Sequence, residues 1–142
     1  LQAKDNAALK EKIEKLGDKY DSLSRRFDFL ENAKFQSSIP TWVKDRKSRL
    51  IYGNRAYIKQ FLEPNGLIYD EVIDKDDIEI YGEENGKVYI DNDGKVMRTR
   101  AGIFFEAPMD VAGKSVMYRA FIDPVTINGQ VTGVIGIAVP ME

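Results

Sequence analysis

The chain has 142 residues, 43% of them apolar and 31% charged, with a formal charge of −2. That length suits one domain plus an extension, and the apolar share is enough for a packed core. The near-neutral charge speaks against a nucleic-acid binder, which needs a basic excess, and no apolar run approaches the roughly 20 residues of a membrane span. The sequence contains no Cys and no His. Disulfides, thiolate nucleophiles, Ser-His-Asp triads, the usual zinc sites and His-ligated haem are thereby excluded. Because the first residue is Leu, the chain is expected to be a piece of a longer protein. With no signal or anchor visible in it, a cytoplasmic setting is the expectation.

The first 36 residues read as one amphipathic helix. Leu9, Leu16, Leu23 and Leu30 recur every seven residues, and Ile13, Tyr20 and Phe27 fall between them. This is a heptad pattern with Leu at d and Ile, Tyr and Phe at a, preceded by Asn6 at a further a position. Across a parallel pair Asp5 faces Lys10 and Arg26 faces Glu31, whereas Lys12 and Lys19 meet only Gly17 and Ser24. A helix this long needs a partner for its narrow apolar seam, so a dimerising helix is expected in preference to one that packs on its own domain. Residues 1–36 are therefore read as a dimerising helix and 37–142 as a separate domain.

In that domain, residues 39–44 and 50–52 read as strands joined by a turn at 45–48. Asn54 is placed to cap a helix carrying Tyr57, Ile58, Phe61 and Leu62 on one side and ending at Pro64. Residues 63–93 hold eleven acidic and two basic side chains, and small helices over a sheet are expected there. Three strands follow. Residues 103–107 turn at Ala112-Gly113 into 115–122, and Asn128-Gly129 gives a strong hairpin signal because a type I′ turn needs positive φ at both central residues. Residues 131–139 are apolar on both faces, as in a strand within the sheet. Pro124 predicts a bulge or a lapse in pairing.

This order resembles a PAS domain from about Pro40 to Val139. Pro40-Thr41-Trp42-Val43-Lys44-Asp45 followed by Leu50-Ile51-Tyr52-Gly53-Asn54-Arg55-Ala56-Tyr57 looks like the family's first two strands and first helix. Asn92-Asp93-Gly94-Lys95-Val96-Met97 resembles its long cross-sheet helix, expected over residues 84–98. Glu106 matches an acidic residue usual on the third strand, and Gly129-Gln130-Val131-Thr132-Gly133-Val134-Ile135-Gly136 looks like the final hairpin. Two departures stand out: Ser48 occupies a turn position that is usually Gly, and Val139-Pro140-Met141-Glu142 replaces an Asp-Ile-Thr-like tripeptide. The resemblance implies an α+β fold with a five-stranded antiparallel sheet in the order 2-1-5-4-3 and helices on one face. It also implies sensing or dimerisation, commonly with a pairing helix before strand one, as the role in a signalling or regulatory protein.

Ligands of the family bind on the concave face, which is expected to carry Trp42, Tyr57, Phe61, Phe104, Tyr118, Phe121 and Ile135. The same side chains would be needed simply to fill the core. Alternation sets Arg119 on the opposite face. No cofactor is expected: the adduct-forming Cys of flavin sensors and the axial His of haem sensors are absent, and methionine alone is a poor haem anchor. Asp91-Asn92-Asp93-Gly94 fails as a calcium loop, because its first and twelfth positions would be Tyr89 and Arg100. Asp74, Asp76, Asp77 and Glu79 read as a solvated charged face rather than a metal site. Neither an isolated carboxylate pair nor a phosphate-cradling glycine loop is present, so no catalysis is expected. The expected partners are a second copy of the chain, a small-molecule ligand and an unidentified output partner. The rival expectation is a structural assembly module without a ligand.

Overall fold

A computed structural model describes residues 2–141, and the chain divides into a unit ending at Lys34 and one beginning at Phe35. The first unit is helix α1, which extends over Gln2–Gln36, and none of its side chains is buried. Its heptad residues Leu9, Ile13, Leu16, Tyr20, Leu23, Phe27 and Leu30 are all exposed on the single chain.

The second unit begins with β1 (Thr41–Asp45) and β2 (Leu50–Gly53). The helical segments α2 (Arg55–Tyr57), α3 (Tyr69–Val72), α4 (Asp77–Tyr81) and α5 (Glu83–Thr99) follow. The strands β3 (Ile103–Val111), β4 (Lys114–Ile127) and β5 (Gln130–Pro140) complete it. The sheet runs β2-β1-β5-β4-β3, antiparallel throughout, in the order that the sequence resemblance implies. The helix expected over 84–98 is α5, one residue longer at each end.

Local chemistry sets the corners. Asn128 and Gly129 have φ of 52° and 77°, the two positive values a type I′ hairpin requires. In the β1–β2 turn, Asp45 Oδ1 accepts hydrogen bonds from the backbone N–H groups of Lys47 and Arg49. Ser48 in that turn takes φ 58°, so a serine holds the left-handed position where glycine is usual. Pairing continues through Pro124, which lies opposite Val134, and the irregularity falls one step later, between Val125 and Thr126.

The helix expected from Asn54 to Pro64 is wound in three ways. An α-turn at Arg55–Tyr57 passes into a π-turn at Ile58–Leu62 and a 3-10 turn at Glu63–Asn65. Tyr57, Phe61 and Leu62 nevertheless share the buried side. Asn54 caps it through Oδ1, which accepts from Tyr57 N and Thr41 N at 3.0 Å each, so a single amide also ties β1 to the helix.

Side chains alternate across the sheet away from its register shifts. Trp42 and Lys44 of β1, Phe105, Ala107 and Met109 of β3, and Tyr118, Ala120 and Ile122 of β4 face the helices, together with Val134, Gly136 and Ala138 of β5. Gly136 pairs with Trp42, and a Cβ there would lie 2.3 Å from the indole. The missing side chain lets the ring lie across β5. Gly86 plays the same part between α4 and α5, where a Cβ would come within 2.4 Å of the Asp77 carbonyl oxygen. Asp91 to Gly94, rejected above as a calcium loop, lie inside α5.

Candidate ligand-binding site

Between the helices and the concave face lies a cavity of about 50 Å³. Trp42, Tyr57, Phe61 and Tyr118 line it, as the sequence predicts. Their rings form a continuous chain of edge and tilted contacts, with centroids 5.8 Å apart for Trp42–Tyr57, 5.5 Å for Tyr57–Phe61 and 4.9 Å for Phe61–Tyr118.

Phe104, Phe121 and Ile135 do not line it. They stand on the opposite face of the sheet, where Phe104 and Phe121 are 53% and 48% exposed and face each other across β3 and β4 with centroids 5.4 Å apart. The reason is parity. Tyr118 and Phe121 are three residues apart on one regular strand, so they cannot share a face. Ile135 is likewise one step out of phase with the buried Val134. Arg119 is on the outer face, as alternation predicts, and pairs there with Glu106 at 3.4 Å.

The cavity walls also include residues that the sequence reading did not select. Tyr81 and Tyr89 come from the helices, and Phe105 and Met109 from β3. The hydroxyls of Tyr57 and Tyr81 are 2.6 Å apart, and Tyr89 donates to the thioether of Met109 at 2.7 Å. Burial pushes all three tyrosines up: Tyr57 and Tyr81 well above their ordinary value, and Tyr89 to about 12.

Lys44 and Asp77 also line the cavity. The Lys44 ammonium is bonded to Asp77 Oδ2, and to Asp93 Oδ2 at 2.7 Å. All three residues are buried. Burial alone would push Lys44 down, but the two carboxylates outweigh it and hold its pKa up. Burial raises Asp77 and Asp93 despite the lysine, because one ammonium cannot compensate two carboxylates out of water. The Ser48 hydroxyl favours the ionised form of Asp93, yet Asp93 Oδ1 has no hydrogen bond of proper geometry among the described residues. Spacing hints only at the inward phase of two of them, Lys44 two residues from Trp42 and Asp93 one helical turn before the buried Val96, and not at their meeting.

The acidic stretch resolves into separate roles. Asp76 and Glu79 form the capping box of α4, and Asp77 turns inward to Lys44. No helix among the described residues is long and apolar enough to cross a membrane.

Comparison with known proteins agrees with this architecture. No curated protein matches the chain. Among solved structures, Vibrio cholerae VqmA, a LuxR-type receptor solved as a dimer in the absence of target DNA, is similar with a TM-score of 0.69. The identity is 19%, over 80% of this chain and 50% of that one. A VqmA bound to DPO gives 0.68 at 19% identity, covering 79% of this chain and 56% of its own. The PAS domain of Bordetella pertussis BvgS gives 0.60 at 18% identity, covering 85% and 89% respectively. At such identities the likeness is one of fold, and this chain spans about half the length of the VqmA chains. The family model described as the PAS fold matches residues 35–141, three quarters of the sequence, and the chain belongs to that family.

Proposed function

We propose that the chain is a non-catalytic sensory and dimerising region of a regulatory protein, whose cavity takes a small molecule and whose N-terminal helix carries the response. The observation that supports this best is the cavity itself, whose aromatic walls include the buried ion pair of Lys44 and Asp77. Apolar side chains would fill the same space without the desolvation cost of three charges. VqmA, similar in fold, has been solved bound to DPO and as a dimer, which fits a ligand-binding role without fixing the ligand here. The exposed heptad seam of α1 supports pairing with a second copy as a coiled coil, in which a change in the cavity would alter helix register.

The small volume of the cavity favours a second reading, an assembly module in which the domain is an inert cap on an oligomerising stalk. Native mass spectrometry of freshly purified protein separates the two. A dimer carrying extra mass supports the sensor, and a dimer at bare sequence mass whose spectrum no small molecule perturbs supports the stalk cap. A monomer overturns the coiled-coil assignment.

A further inference from the structure

The buried cluster that reaches the cavity wall holds one basic and two acidic side chains. Lys44 supplies one cation to two carboxylates, Asp77 and Asp93. Asp77 lines the cavity, is 3% exposed, and meets Lys44 through Oδ2 alone; among the described residues its Oδ1 accepts no hydrogen bond. That oxygen is not among the fully enclosed acceptors, unlike Asp93 Oδ1, so a donor entering the cavity can reach it. The surrounding walls suit a cation. Trp42, Tyr57, Tyr81 and Tyr89 bring π-systems to the same space, and aromatic enclosures hold ammonium groups through their ring quadrupoles. Size narrows the choice further. An apolar cavity of about 150 Å³ takes benzene, so one of about 50 Å³ has no room for a ring and suits a group of two or three non-hydrogen atoms.

We infer that the cavity selects a small alkylammonium ion, of methylammonium to dimethylammonium size, whose charge completes the Lys44–Asp77–Asp93 cluster and whose methyl groups lie against the aromatic rings. This rests on the ligand-binding reading above and names the ligand class for it. A carboxylate is the poorer fit by the same count, since it would bring a third acidic group to a cluster that holds one basic side chain.

Trp42 is the single tryptophan of the chain and lines the cavity, so its fluorescence reports binding directly. The full chain is titrated at neutral pH and constant ionic strength, set with sodium chloride. The probes are dimethylammonium chloride, ethanol as an uncharged molecule of similar size, and sodium acetate. The expected result is a saturable change with dimethylammonium alone, at a midpoint in the roughly millimolar range that so few atoms allow. Asp77→Asn keeps the shape, brings the cluster to neutrality and should weaken the midpoint about tenfold or more. Tyr89→Leu removes one half-buried ring, leaves the ions in place and should weaken it several-fold, so the inference stays testable if the Asp77 variant does not fold. A saturable response to ethanol or acetate but none to dimethylammonium overturns the cation assignment and leaves the ligand-binding reading standing. No response to any probe, together with bare sequence mass in the native spectrum, overturns both.

Discussion

Lys44 on β1 and Asp93 on α5 are 49 residues apart in the chain, yet Nζ and Oδ2 meet at 2.7 Å in the interior. With Asp77 on α4, this ties two helices to the sheet through one side chain. Removing the cation leaves two buried carboxylates facing each other, so Lys44→Met is expected to destabilise the domain by about 3–5 kcal/mol. Combining it with Asp77→Asn and Asp93→Asn removes the stranded charges and should restore most of that loss. Urea denaturation midpoints check this. A Lys44→Met variant as stable as the parent would mean that the cluster does not form.

Three of the four cavity tyrosines, Tyr57, Tyr81 and Tyr89, give the main pH signature. Their folded pKa values lie above the unfolded value near 10, because burial disfavours the phenolate. Between pH 10 and 12 the folded chain therefore holds more protons than the unfolded one, and stability falls as pH rises through that window. The raised pKa of Lys44 acts in the same direction. Absorbance at 295 nm should show part of the signal of the seven tyrosines delayed in the folded protein and recovered in denaturant. Full ionisation near pH 10 without unfolding would contradict the burial of Tyr57, Tyr81 and Tyr89.

The two faces of the sheet can be told apart by substitution. Phe61 is 2% exposed at the centre of the helix-side core, and Phe61→Ala should cost about 3–5 kcal/mol. Phe104→Ser and Phe121→Thr, on the outer face, should cost less than about 1.5 kcal/mol each, chiefly through the loss of their mutual contact. They should also leave Trp42 fluorescence unchanged. A large loss at Phe104 or Phe121 would indicate that the outer face is covered.

That contrast also explains what could be read in advance. The two C-terminal hairpins were legible from turn chemistry, since Ala112-Gly113 and Asn128-Gly129 take the positive φ that tight turns need, whereas the full strand order came from the family resemblance. The inward phase of β3 and β5 was not legible, because both strands carry apolar residues on each face. Phe104 and Phe105, or Val134 and Ile135, are equivalent by hydrophobicity alone, and only pairing to β4 and β1 selects between them. Lys44, Asp77 and Asp93 were hidden for a different reason. A charge in a sequence is ordinarily solvated, and nothing local shows that a carboxylate 33 residues away will meet a lysine on a strand. The π-turn at Ile58–Leu62 left no sequence signal, because it preserves the buried side that an α-helix would have.

Asn54 is fully buried and works in three directions. Oδ1 caps the helix at Tyr57 and accepts from Thr41, while Nδ2 donates to the Ile39 carbonyl at 2.8 Å. An ordinary N-cap loss costs about 1 kcal/mol. Asn54→Ala should exceed that, at about 2–4 kcal/mol, because it strands buried backbone groups on β1 as well. Asn54→Asp keeps the acceptor but loses the Nδ2 donor, and should fall between the two. Thermal or urea unfolding ranks the three proteins, and an Asn54→Ala cost below 1 kcal/mol would show that the tie to β1 carries no load.

The helix seam gives the last test. Leu16 and Leu23 occupy consecutive d positions, and both are exposed on the single chain. In a parallel coiled coil each d side chain inserts between four residues of the partner, so a lysine there sets two charges against one another in an apolar seam. Leu16→Lys with Leu23→Lys should convert a dimer to a monomer, as measured by light scattering after gel filtration. Far-ultraviolet helicity should drop along with it, since a helix of 35 residues with no buried side chain is expected to need a partner for its order. Removing residues 1–35 should likewise give a folded monomer, because the strands, the caps and the aromatic cavity all lie beyond them. A truncated domain that stays tightly dimeric would move the pairing surface from the heptads to the sheet, where Phe104, Phe121 and Ile135 already form an exposed apolar face.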